Sequence, residues 1–271
     1  MSNPRLIAKI ESEEPTLRLA VLIDADNAQA AIIEGLLAEI ARFGEATVKR
    51  IYGDFTAPTS SSWKRVLQKH AIKPVQQFAY TKGKNATDST LIIDAMDLLY
   101  TRKFDGFCLV TSDSDFTGLA IRLKEEGLTV LGFGEQKTPD AFRNACHKFI
   151  LTELLRPSER IDIDETQAKI SQPQQKKAGT VSEKKSQDQK PTFPRELVLD
   201  AIEQSSDDSG WVHLGTFGSY LTKLQPDFDS RIYGYKKLSL LVKDMADIFV
   251  TEEREIEGTK QKALYIRAKG V

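Results

Sequence analysis

Cysteine is scarce. Only Cys108 and Cys146 occur in 271 residues, far apart along the chain, which excludes a disulfide framework; with just His70, His147 and His213 beside them, no zinc-ligand cluster forms either. The cytoplasm is the expected location. Charge of one sign is lacking too: 38 Lys and Arg face 39 Asp and Glu, leaving a formal charge of -1, so binding a polyanion requires a local basic surface. No apolar run approaches the ~18 residues of a membrane span. The N-terminal MSNPRLIAKIESEEP mixes charges with Pro and has no apolar signal core. The expectation is a protein neither exported nor inserted in a membrane.

What is present suits a folded protein: 40% hydrophobic and 28% charged residues supply a core and a surface. The length suits about two domains. Pro157 to Thr192 carries Gln, Lys, Ser, Glu and Pro and no aromatic residue, the composition of a flexible linker. It divides a domain at 1–156 from one at 193–271. In the first, extended runs at Leu17–Ile23, Ala46–Gly53, Ala71–Phe78, Gly106–Ser112 and Leu128–Gly134 alternate with helical patterns at Ala28–Phe43, Ser61–His70, Asp88–Tyr100 and Phe116–Glu126. The first and fourth runs are apolar nearly throughout, as in strands buried on both faces. Such alternation predicts a three-layer α/β/α domain around a parallel sheet. The second domain reads as a helix at Arg195–Gln204, a short extended piece that becomes a second helix over Trp211–Leu224, and a third helix at Gly234–Met245, followed by a hairpin, Ile248–Glu255 and Lys260–Ala268, turned at Glu257-Gly258-Thr259. That is the outline of a winged helix-turn-helix.

The acidic residues gather where a parallel sheet places its site, beyond the carboxyl ends of strands flanking a switch point. Asp24 and Asp26 follow the first strand in LIDADNA, Asp113 and Asp115 follow the fourth in LVTSDSDF, and Asp88 opens a helix. Carboxylates brought together repel unless a cation neutralises them, and hard oxygen ligands favour Mg²⁺ or Mn²⁺. The chemistry that fits is hydrolysis of a phosphodiester, with one ion activating water and a second stabilising the leaving oxygen. Asp24 and Asp113 are expected to touch metal directly, Asp88 and Asp115 to complete the ring, and Asn27 to orient a carboxylate or the phosphate. Ser112 and Ser114 are candidates to position water or phosphate, and Lys82 and Lys84 to hold the substrate backbone. Asp94, six positions beyond Asp88, points about 120° away from it. Each acidic residue also has a plainer reading: Asp26, Asn27, Asp88 and Asp115 all stand where helix caps occur. The Gly132-Phe-Gly134 step lacks the third glycine of a dinucleotide loop.

LIDADNAQ, KNATDSTLIIDAMDLLY and LVTSDSDFTGLAIRLKEEGLTVLGFG together resemble the NYN domains, relatives of the PIN-domain ribonucleases. The resemblance spans most of residues 17–151. It implies metal-dependent RNA cleavage with Asp24, Asp88, Asp113 and Asp115 as the acidic set and Asn27 beside it. Asp26 stands where many relatives carry Gly or Ser and adds a further negative charge. From Phe193 to about Ala268, through Trp211-Val212, the Leu214–Leu224 helix and Gly234-Tyr235-Lys236-Lys237-Leu238, the chain is similar to OST-HTH/LOTUS modules. That implies binding of RNA or of a protein partner. Lys236, Lys237, Lys243, Arg254, Lys260, Lys262 and Arg267 then offer phosphate contacts, and Tyr235 a stacking face; a solvated helix face and hairpin is the plainer reading.

Two rivals remain at this level. Asp24-Ala-Asp26 after an apolar strand resembles the nucleophile motif of haloacid-dehalogenase-type phosphatases, although Ala28 stands where that family carries Thr or Val. A nuclease-like fold that binds RNA or protein without cutting is the other, and a full set of repelling carboxylates speaks against it. The expectation is a ribonuclease whose linker raises the recruiting module's effective concentration at the site while leaving its orientation free.

Overall fold

The computed structural model describes residues 16–56, 61–78, 86–156, 192–255 and 262–269. Residues 157–191 of the linker stretch, the hairpin tip at 257–259, and Lys82, Lys84 and Lys260 lie outside the described residues. In the N-terminal half, the strands are β1 (Arg18–Asp24), β2 (Glu45–Gly53), β3 (Lys73–Gln76), β4 (Gly106–Val110), β5 (Thr129–Gly134) and β6 (Lys148–Leu151). The helices between them are α1 (Ile33–Ile40), α2 (Ser61–His70), α3 (Ala86–Tyr100), α4 (Thr117–Glu125) and α5 (Asp140–Ala145). All six strands pair in parallel in the order β3-β2-β1-β4-β5-β6. β1 and β4 are therefore neighbours, and the strand order reverses between them.

Side-chain alternation along β1 divides the core. Ala20 and Leu22 face α3, α4 and α5 with Phe107, Leu109 and Phe116, whereas Leu19, Val21 and Ile23 face α1 and α2 with Leu36, Ile51 and Trp63. Both faces being covered explains the unbroken apolar runs. On β5, a side chain at Gly132 would meet Cys146 Sγ and Phe149 Cδ2 at 2.6 Å. One at Gly134 would meet the Thr111 carbonyl at 2.6 Å. These glycines serve close packing and not a phosphate loop.

The C-terminal module consists of α6 (Arg195–Ser205), β7 (Val212–His213), α7 (Leu214–Leu224), α8 (Leu238–Asp244), β8 (Phe249–Glu255) and β9 (Lys262–Ala268). Its sheet is antiparallel in the order β7-β9-β8 over a core of Val198, Phe217, Leu221, Leu241 and Ile266. Helices plus a three-stranded wing match the winged-helix expectation. A 3-10 turn at Ser230–Tyr233, closed by Gly234 at φ 90°, interrupts the chain before α8.

The segment before that turn seats the module on the open edge of the large sheet. The Phe149 amide of β6 donates to the Pro226 carbonyl at 2.9 Å, and Ile232 packs against the core on the α3 side. Arg143 Nη1 donates to Asp227 Oδ2 at 3.0 Å. Arg231 reaches back to Glu39, with bonds of 2.9 and 3.1 Å. The expectation of a freely oriented module is thereby corrected: apolar burial, an edge-strand hydrogen bond and charged side-chain pairs fix how the two modules sit.

Candidate active site

β1 ends at Asp24, which is fully buried beneath the switch point. Its two oxygens are both engaged. Oδ1 accepts the Asp26 amide at 3.0 Å; Oδ2 accepts Asn27 Nδ2 at 2.7 Å and the Thr111 hydroxyl at 3.0 Å. Burial pushes its carboxyl above the usual range, and these three donors pull it back down. Asp26 and Asn27 thus do not cap α1: a 3-10 turn at Ala30–Ile32 precedes the helix, with Gln29 at the cap position. Asn27 orients Asp24, and Asp26 points out to solvent while its amide does the same work.

On the neighbouring strand, Thr111 follows β4 and receives at its hydroxyl oxygen the Asp113 amide at 3.1 Å. One hydroxyl therefore bonds both acidic loops. Asp113 caps the next 3-10 turn, Ser114–Phe116, accepting the Asp115 amide at 2.9 Å. Asp115 itself is exposed beside it. From below, the first turn of α3 presents Asp88. Ligand oxygens of Asp88, Asp113 and Asp115 lie within 4.8 Å of one another, with Asp88 and Asp113 half-buried and Asp115 exposed. Burial first, then the charges of Asp24, Asp113, Asp115 and Asp26, push the Asp88 carboxyl up to about 6.

Three carboxylates at this spacing fit a hard divalent cation. Octahedral coordination at about 2.0–2.1 Å asks for ligand oxygens roughly 3–4 Å apart, and these lie within 4.8 Å of one another. The Asp88 carboxyl is raised first by burial and then by the neighbouring carboxylates, and a cation would relieve the second of these. Asp24 stands behind the three, held by hydrogen bonds. Sequence reasoning misses Thr111; a hydroxyl ending a buried strand is the signal that could have found it.

Other candidates fall elsewhere. Ser112 is buried, and its hydroxyl oxygen accepts the Glu135 amide at 2.8 Å, tying the β4 loop to β5. Ser114 is exposed, and its carbonyl accepts the Thr117 hydroxyl at 2.6 Å. Asp94 pairs with Arg50 and accepts the Tyr52 hydroxyl, on the β2 side of the helix and away from the cluster. In the other module, Tyr235 packs half-buried on the core and donates its hydroxyl to Asp244, so its ring is not a free platform. Arg254 pairs with Glu252 and Lys243 with Glu253. Lys236 and Lys237 are exposed.

Among protein families, the model of the NYN domain matches residues 18–155. The chain belongs to the NYN family. The OST-HTH/LOTUS domain matches residues 187–261 of the same NYN protein, in that order along the chain. The six-stranded parallel sheet is the PIN-like nuclease fold of an NYN domain, and an OST-HTH module is an RNA-binding type of domain. No curated protein matches. Among solved structures, the chain is similar to an uncharacterized Nitrosomonas europaea protein solved by NMR, at 60% identity over 36% of this chain and 92% of that one, with a TM-score of 0.29. A Vibrio parahaemolyticus protein of unknown function is 16% identical over 51% of this chain and 94% of its own, with a TM-score of 0.43. A Chromobacterium violaceum fragment solved by NMR is 32% identical over 30% and 86%, with a TM-score of 0.25. Among the described residues no helix is long and apolar enough to cross a membrane.

Proposed function

We propose that this NYN protein is a metal-dependent ribonuclease, with residues 1–156 as the cutting domain, 157–192 as a tether and 193–271 as the RNA-binding module. The observation that carries the reading is the convergence of Asp88, Asp113 and Asp115 at the switch point, with the Asp88 carboxyl raised by burial and then by its neighbours' charges. Those three side chains would hold Mg²⁺ or Mn²⁺, with Asp24 behind them. When bound, such a cation supplies Lewis-acid stabilisation of phosphate charge and lowers the pKa of a water.

The chain's own residues do the rest. Asn27, Thr111 and the Asp26 amide lock the Asp24 carboxylate, so the acidic ring keeps its shape before substrate arrives. Asp115 is the exposed member of the three, so that side of the cluster faces solvent, where water and a phosphodiester can approach. Lys82 and Lys84 precede Asp88 in sequence and are assigned to the RNA backbone. A phosphatase using Asp24 as nucleophile is disfavoured, because that carboxylate is buried and both its oxygens are bonded.

The test is cleavage of labelled single-stranded RNA, structured RNA and DNA with Mg²⁺ or Mn²⁺, beside an EDTA control. Asp113→Asn should abolish cleavage with folding and RNA binding retained. A wild-type protein that is folded, binds RNA and cuts no substrate would overturn the proposal in favour of a non-catalytic RNA-binding role.

A further inference from the structure

The seam between the two modules encloses a cleft of about 350 Å³. Glu39, Arg42 and Lys148 line it from the nuclease-fold side. Asp229, Arg231, Lys236 and Lys237 line it from the other. The two carboxylates are already saturated. Glu39 accepts Arg42 Nη1 at 3.0 and 3.2 Å and Arg231 at 2.9 and 3.1 Å. Asp229 accepts the Arg231 amide at 2.9 Å, its Nε at 3.0 and 3.1 Å, and its Nη2 at 2.6 Å. Two guanidinium groups thus cancel two carboxylates, and the charges left over are three ammonium groups.

Among the described residues, none of Lys148, Lys236 and Lys237 has a side-chain hydrogen bond or an ion pair. Lys148 is the telling one. It starts the edge strand β6 half-buried, and burial pulls its pKa below the usual lysine range. Holding an ammonium partly desolvated with no hydrogen-bonded partner costs free energy that an aliphatic side chain at the same position would not. The cleft wall also carries the hydroxyl of Ser230, while that of Thr222 donates to the Gly218 carbonyl at 3.0 Å. Surplus positive charge and carboxylates closed to further ligands together describe a receptor for an anionic oxygen group.

We propose that this cleft grips the phosphate backbone of the RNA, as a second site distinct from the carboxylate cluster. The proposal rests on the reading that RNA is the substrate. Glu39 lies in the last turn of α1 and Lys148 begins β6 level in register with Leu131 of β5 and so with Cys108 of β4, whereas Asp113 lies beyond the carboxyl end of β4. Two strands sideways at ~4.8 Å each and two residues along at ~3.3 Å put Lys148 roughly 12 Å from the end of β4. An RNA that touches both must cover that span, so the cleft selects for strand length and not for bases.

The test measures binding of a fluorescein-labelled 20-nucleotide single-stranded RNA to the full chain by anisotropy, across a salt series, in EDTA so that nothing is cut. Lys148→Met, which removes the buried charge and keeps the side chain's bulk, and Lys236→Gln with Lys237→Gln should each weaken binding several-fold. The slope of log K against log salt should fall by about 0.7 for each phosphate that the variant no longer neutralises. Lys64→Gln, on the exposed side of α2, should change neither. Unchanged affinity and slope in the cleft variants would overturn the proposal. Inorganic phosphate separates the sources: thermal stabilisation by phosphate that depends on Lys148, with RNA binding untouched, would make the ligand a free anion and overturn it as well. Absent cleavage alongside lysine-dependent RNA binding would sink the nuclease reading and leave the cleft standing.

Discussion

Asp88 carries a testable pH dependence. Its carboxyl sits at about 6 in the folded chain against an ordinary 3.8, so protonation favours the folded state. That contribution is complete below about pH 4 and is lost as pH rises through 6. In EDTA, wild type should therefore lose stability relative to Asp88→Asn between pH 4 and 7, read as a falling difference in denaturant midpoints; parallel curves would refute the assignment. Mn²⁺ affinity should run the other way, weakening as pH drops below 6, because the ion competes with the proton on Asp88. Thr111 makes a separate prediction. Its hydroxyl donates to Asp24 and accepts from the Asp113 amide, so Thr111→Val leaves a buried acceptor and a donor short of partners, at about 1–3 kcal/mol. Thermal unfolding measures the loss, and cleavage should fall with it because both acidic loops hang on that hydroxyl.

At the scale of elements, β5 has both of its glycines in close contact with neighbouring atoms. Gly132→Ala should cost about 1–3 kcal/mol through contact with Cys146 and Phe149, read by chemical denaturation. The strands that packed apolar side chains on both faces were legible in the sequence, as were α2 and the hairpin, because β-branched runs and three-to-four spacing report burial directly. Short elements were not. β6 has four residues and α5 six, too few for a period to stand out. The chain after Asp24 reads in sequence as helix from Ala28, but its first residues are taken up by hydrogen bonds to the Asp24 carboxylate, and regular α-helix begins at Ile33. In the site, the acidic residues were legible because carboxylates at strand ends are a chemical pattern. Their division into three that converge and one held behind depends on Thr111, whose hydroxyl looks in sequence like any β-former.

At the scale of the whole molecule, the seam was invisible in sequence because its central pair, Glu39 and Arg231, is 192 positions apart. Arg231→Ala should destabilise the chain by about 2 kcal/mol, since the seam loses the Arg231–Glu39 pair, though Arg42 still neutralises Glu39, and Asp229 is left without its guanidinium partner. Small-angle scattering should then show a larger radius of gyration; an unchanged radius would mean the apolar contacts suffice. The hydrogen bond from Phe149 to Pro226 has a different consequence. β6 is the last strand of its sheet, and the following module stands where a seventh would otherwise add. A chain ended at residue 156 bares an apolar, hydrogen-bond-hungry margin of the kind that recruits copies of itself. The truncated nuclease domain should therefore sediment as dimers and larger species at concentrations where the full chain stays single, which makes the RNA-binding module a built-in guard against self-association.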